Sequence, residues 1–269
     1  MTISRCTVSQ AVGFTGRGLH SGEPTRVIVR PGENGLVFRR GEKTWRATPN
    51  AVTDTRRRTR LGEIETVEHL LSALAGIEVT DAEVEVEGPE LPGLDGSARQ
   101  FAAAMLAAGL VALPSTTMPR LYKRVFLQDG DAKIAISAGN GTFRYEFLTQ
   151  AEWLPRVFET RNVIADYAVA IAPARTPAFE AEIAHAHAMG LGRGLDETSV
   201  VGLGALGYLN EPRFPDEPVR HKLLDLIGDL ALAGVPMRHL NVTATGSGHT
   251  MHVEAARRLR LAVFGKEAT

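Results

Sequence analysis

The residues best suited to chemistry are histidines with a carboxylate at helical spacing. Val219-Arg-His-Lys-Leu-Leu-Asp-Leu-Ile-Gly-Asp229 puts His221, Asp225 and Asp229 at i, i+4 and i+8. On a helix turning 100° per residue these fall within about 80° of one another, on one face. His221 and Asp225 can hold one cation together, although an isolated His-x3-Asp also suits a solvated polar face. A catalytic zinc site uses three protein ligands and keeps a position for water, so a third ligand must come from elsewhere. His69 is the natural candidate. The segment His69–Gly76 can be laid on His221–Gly228 with four of eight positions matching, including the histidine and the glycine. The echo suggests two related halves, each presenting one helix with a histidine.

Groups able to move protons stand near these residues in sequence. Glu68 directly precedes His69, and a metal site that splits an amide needs a base beside the metal-bound water. The plainer use of Glu68 is as a first-turn carboxylate favoured by the helix dipole. His249 ends Gly246-Ser-Gly-His, a glycine-bracketed loop that can bring an imidazole to a substrate. Imidazole titrates near neutrality and can act as an acid toward a departing amine. His252 follows at i+3 as a weaker partner. His185 and His187 lie in one predicted helix about 200° apart and read as structural; His239 stands alone. Arg56-Arg-Arg-Thr-Arg60 reads as a strand end or turn able to touch an anionic substrate group. Gly202-x-Gly204-x-x-Gly207 has the dinucleotide spacing without a clear strand before it or helix after it.

The elements that must position these groups are mixed. Ala82–Glu87 and Phe143–Phe147 alternate apolar and charged residues, as half-buried strands do. Thr25–Arg30 and Lys133–Ser137 are further strand candidates. Helices are predicted over Thr66–Ile77, Ser97–Ala108 with Ser97 as cap, Pro177–Met189, and Glu217–Ala233 with Asp216 as cap. The lack of steady β-α alternation favours an α+β fold over a doubly wound sheet. Leu113–Pro119, with two prolines and three hydroxyl residues, is the best linker. It places a boundary between an N-terminal α+β domain, 1–116, and a C-terminal one, 117–269.

At 269 residues the chain is long enough for a substantial core. Thirty basic against 31 acidic side chains leave a net charge of −1, which gives no reason to expect a nucleic-acid partner. One cysteine, Cys6, precludes an intrachain disulfide. The longest apolar run, 101–113, falls short of the roughly 20 residues of a membrane span, and the N-terminus lacks a signal-peptide core.

Several motifs then appear in a recognisable order. Gly16-Arg-Gly-Leu-His-Ser-Gly22, Thr66-Val-Glu-His-Leu70, Glu90-x-Pro-x-x-Asp-Gly-Ser-Ala98, Ala174-Arg-Thr176, Val219–Leu230 and Ser247-Gly-His249 resemble the UDP-3-O-acyl-N-acetylglucosamine deacetylase family of lipid A biosynthesis. The resemblance implies two similar α+β domains stacked as a layered sandwich, with helices packed between the sheets. It implies zinc held by His69, His221 and Asp225, a donor set that suits ferrous iron equally. It makes Glu68 the general base. It gives Thr176 a share in stabilising the oxyanion, and His249, oriented by Asp229, the task of protonating or stabilising the departing amine. It sets Lys222 against the sugar-diphosphate of a UDP-linked acylated amino sugar. A cytoplasmic enzyme working near the membrane without an anchor is the implied setting. Two features depart from the family. Pro177 replaces the phenylalanine after Ala-Arg-Thr, and Thr149–Pro173 lacks a His-Pro pair expected near the acyl passage. These departures leave open a metal-dependent deacetylase of another N-acetylated sugar or sugar nucleotide. A binder without catalysis would be expected to have lost one of these groups, and all are present.

Overall fold

The computed structural model describes residues 1–188 and 190–265, except for the side chains of 184–187. The fold is α+β. Two five-stranded sheets dominate it, and they share one strand plan. In the first, the spatial order is Val12–Arg17, Pro24–Pro31, Ala82–Glu87, Leu36–Arg40 and Lys43–Arg46. In the second it is Val125–Asp129, Ala132–Ala138, Leu240–Thr245, Phe143–Glu146 and Val157–Thr160. Each has one parallel pair, between the central strand and the fourth, and its other pairs are antiparallel.

The alternation read from sequence is the alternation of burial. Ala82, Val84 and Val86 face the core, while Glu83, Glu85 and Glu87 turn outward. Across the ladder these acids stand opposite Arg30, Ile28 and Arg26. Arg30 reaches Glu85 at 3.0 Å, the opposite-charge pairing that supports an exposed sheet face.

Among the described residues six α-helices accompany the sheets: α1 (Glu68–Gly76), α2 (Arg99–Ala108), α3 (Val163–Asp166), α4 (Glu180–Ala188), α5 (Glu217–Ala231) and α6 (His249–Phe264). In each half one helix precedes the central strand and one follows it: α1 and α2 in the first, α5 and α6 in the second. They pack between the sheets, with α1 against α5 at the seam. Two glycines make close approach possible. A Cβ on Gly228 would lie 2.1 Å from the backbone oxygen of Glu68, and one on Gly76 would lie 2.3 Å from the Tyr167 ring. These are the paired glycines of the sequence echo.

Three local expectations change. Leu113–Thr117 belongs to a strand, Leu110–Thr117, antiparallel to Thr2–Val8. Proline is tolerated there because this is a two-stranded edge. Pro177 begins no helix: Thr176–Phe179 is a strand parallel to Val200–Leu203, and α4 starts only at Glu180. A parallel pair needs a crossover, and α4 supplies it. Asp216 makes no capping bond; its carboxylate takes Arg220 Nε at 2.6 Å instead. The side chains of His185 and His187, and Met189 altogether, lie outside what the structure describes.

Candidate active site

The first turn of α1 is set by strain and a buried carboxylate. Thr66, a β-branched residue, has φ +58°, a conformation costing on the order of 1–3 kcal/mol. Its hydroxyl donates to Glu90 Oε1 at 2.7 Å, and Glu90 also accepts from the backbone N–H groups of His20 and Ser21. The same carboxylate thus ties the Gly16–Gly22 motif to the Thr66 motif. Glu68 and His69 follow, both buried, facing α5.

From α5, His221 and Asp225 meet His69. The Nε2 atoms of His221 and His69 lie 3.3 and 3.8 Å from Asp225 Oδ1. The two rings sit edge to face with centroids 5.1 Å apart. One ligand atom from each of the three residues falls within 4.8 Å of the others. His221 Nδ1 is 3.0 Å from the Ala174 carbonyl; that contact makes Nδ1 the donor and leaves Nε2 free as a ligand. Burial, joined by the neighbouring His221, pushes His69 down to about 3. Burial also lowers His221, against the pull of Asp225. Burial alone would raise Asp225, but the adjoining His221 ring and the Lys222 ammonium hold it well below the carboxylate range. Two neutral imidazoles and a carboxylate are the donor set a divalent transition metal requires.

A second cluster adjoins the first. His249 is the first residue of α6, not a loop residue, with Gly248 extended before it. Its Nδ1 lies 2.8 Å from Asp229 Oδ2, and its Nε2 points toward Glu68 Oε1 at 4.0 Å. Burial works against charge on His249, but Asp229 and Glu68 raise it to about 9. Burial pushes the Glu68 carboxyl up to about 8, opposed by His249 and reinforced by Asp229 and Asp225. An acid and a base therefore face each other beside the three candidate ligands, each shifted from its ordinary range in a way that suits proton transfer near neutrality.

The remaining predicted residues are nearby to different degrees. Lys222 Nζ lies 3.1 Å from Asp225 Oδ2. Thr176 donates its hydroxyl to the Gly96 carbonyl at 3.0 Å, so serving an oxyanion would require exchanging that bond. The arginine run spans a turn into the strand Arg60–Leu61 and pairs locally, Arg56 with Asp54 and Arg58 with Glu65. Arg56, Arg57 and Arg58 line an open cleft of about 1090 Å³ that also holds His249. Gly202 and Gly204 pack against Leu209 in a tight turn and form no phosphate loop.

The sequence reading missed Thr59 and gave too little weight to His252 and His20. Thr59 is buried between Glu68 and Asp229. His252 is a full partner of Asp229, with its Nδ1 3.0 Å from Oδ2. His20 has a buried Nδ1 without a hydrogen-bond partner and feels the charges of Glu90, Arg58 and His249. His20 stood inside a quoted motif, and His252 had been read only as a weaker i+3 partner of His249; Thr59 had no signal beyond an isolated polar residue.

Comparison with known proteins gives the family. The sequence profile of the UDP-3-O-acyl N-acetylglycosamine deacetylase family matches residues 5–260. The chain belongs to this family. A UDP-3-O-acyl-N-acetylglucosamine deacetylase of Nostoc sp. is 36% identical, covering 94% of this chain and 97% of the relative. The protein of that name from Geotalea uraniireducens is 36% identical over 91% and 85% of the two chains. The one from Francisella tularensis subsp. tularensis is 34% identical over 91% and 92%. Membership makes the protein a hydrolase of a metalloenzyme family. Among the described residues no helix is long and apolar enough to cross a membrane.

Proposed function

We propose that this protein removes acetate from the 2-acetamido group of UDP-3-O-acyl-N-acetylglucosamine, in the pathway to lipid A, using zinc held by His69, His221 and Asp225. The observation that carries the reading is the meeting of those three side chains beside the Glu68–His249 pair, in a chain of this family. When bound, the metal supplies Lewis acidity toward the amide carbonyl and the attacking water. Glu68 takes the proton from that water. Its raised affinity for a proton, from burial beside two aspartates, makes it a stronger base than an exposed carboxylate.

His249, kept protonated by Asp229, offers its Nε2 proton to the amine as the C–N bond breaks. Thr176 turns its hydroxyl from Gly96 to the developing oxyanion. Lys222 and the arginines of the open cleft receive the diphosphate. The same reading divides the chain into domains at 1–116 and 117–269, supported by the repeated strand order. It also sets the enzyme in the cytoplasm, close to the membrane.

The test is mass-spectrometric detection of acetyl loss with one equivalent of zinc or ferrous iron, using UDP-3-O-acyl-N-acetylglucosamine of short and long acyl chains. UDP-N-acetylglucosamine without the acyl chain serves as the comparison. Preferential turnover of the acylated substrate is expected. Equal turnover of the unacylated sugar nucleotide would favour a deacetylase of another N-acetylated sugar, with Pro177 as the first residue to question.

A further inference from the structure

Thr59 lies between two arginines whose side chains turn outward to Glu65, while Thr59 itself is 0% exposed. All three of its polar groups are engaged. Its backbone N–H donates to Glu68 Oε2 at 3.0 Å. Its carbonyl accepts from the backbone N–H of Val67 at 3.2 Å, immediately before α1. Its hydroxyl donates to Asp229 Oδ1 at 2.5 Å and lies 3.4 Å from His249 Nδ1.

The hydroxyl has a single proton, and an ionised carboxylate can only accept. The proton is therefore committed to Asp229, and the face of the oxygen toward His249 Nδ1 is a lone pair. His249 Nδ1 then meets two acceptors, Thr59 Oγ1 and Asp229 Oδ2, and must carry a hydrogen. That leaves Nε2, the atom turned toward Glu68, to gain and lose the working proton.

We infer that Thr59 is a positioning residue that holds the base and the acid in register: its amide fixes Glu68, and its hydroxyl fixes Asp229 and, through it, the proton-bearing edge of His249. No other residue makes a hydrogen bond both to Glu68 and to Asp229 among the described residues. The link also joins the halves, since the bond from Thr59 to Asp229 spans 170 positions of sequence. The kinetic part of the inference rests on the deacetylase reading.

The experiment compares Thr59→Val, which removes the hydroxyl and keeps the amide, with Thr59→Ser, which keeps both, in the full zinc-loaded chain. For Thr59→Val, kcat should fall about 10- to 100-fold, the size of one lost bond to a charged group, with KM and zinc content unchanged. Thr59→Ser should recover most of the loss. Long-range proton–nitrogen NMR of the histidine rings should show the His249 Nδ1–H signal shifted or broadened in Thr59→Val and restored in Thr59→Ser. Wild-type kcat with an unchanged Nδ1–H signal in Thr59→Val would overturn the inference. So would equal losses in both variants accompanied by a lowered Tm, which marks a merely structural residue. A wild-type enzyme inactive on the acylated sugar nucleotide would instead count against the deacetylase reading, and the NMR comparison would still decide the placement of Thr59.

Discussion

The two halves of the molecule share a sheet and differ in what their helices carry. In the first, α1 brings Glu68 and His69 in its opening turn, and α2 begins with Arg99, pointed at Asp95. In the second, α5 brings His221, Asp225 and Asp229 along one buried face, and α6 begins with His249. The strand plan is duplicated; the chemistry is divided. In the proposed roles, neither half has both the base and the acid, and neither has all three candidate ligands. A duplicated scaffold can thus place two similar helices side by side, and their differences make the site. The seam is close enough only because Gly228 lets α5 rest on the Glu68 backbone.

The largest effects should come from removing one candidate ligand from either half. His69→Ala and His221→Ala should each weaken zinc binding by more than the ~10- to 100-fold typical of outer-shell changes and reduce acetate release to background. Metal analysis with an activity assay checks this. Full activity in either variant would break the division of ligands between halves.

Glu68→Gln should keep the metal and lose roughly 10²- to 10⁴-fold in kcat, the range for a general base. His249→Gln should fall in the same range. Loss of metal from Glu68→Gln would move Glu68 from base to ligand and blur the boundary between the two clusters.

Gly228→Ala sharpens the comparison at the level of packing. Its methyl group would press on backbone, which cannot rotate away, so destabilisation of about 1–3 kcal/mol or more is expected by denaturant unfolding. Gly76→Ala meets the Tyr167 ring, a side chain, at the matching place in α1. That ring is fully buried and is met at its root, so a comparable loss of stability is expected.

The smallest effect is on pH dependence. His249 is raised to about 9, chiefly by Asp229 working against burial. An acid with a raised pKa is protonated below that value and loses its proton above it, so activity should fall as pH climbs through about 9. Asp229→Asn removes the charge that sustains the imidazolium, and the alkaline limb should move to lower pH. A limb that stays in place would separate His249 from the profile.

Much of this was legible in the sequence because helix geometry is local. His221, Asp225 and Asp229 share a face by spacing alone, and the echo with His69–Gly76 pointed to a second helix with a second histidine. The strands announced themselves through alternation, as in Ala82–Glu87. What stayed hidden depends on distant partners. Thr59 is one hydroxyl residue in an arginine-rich stretch until Asp229 is folded against it. His252 gains its role from the same carboxylate. Thr176–Phe179 had a proline and an alanine that suit a helix start, but pairing with Val200–Leu203 overrides that preference. Leu113–Pro119 looked like a linker by composition, whereas the N-terminal strand captures Leu113–Thr117 of it as a partner.

The most direct test of the central claim, that one metal is held jointly by both halves, is an anomalous difference map at the zinc edge from crystals of the zinc-loaded protein. The account predicts a single dominant peak at bonding distance from Nε2 of His69, Nε2 of His221 and a carboxylate oxygen of Asp225. A dominant peak on Asp229, His249 and His252, the other grouping capable of holding an ion among the described residues, or no peak at the seam, would contradict it.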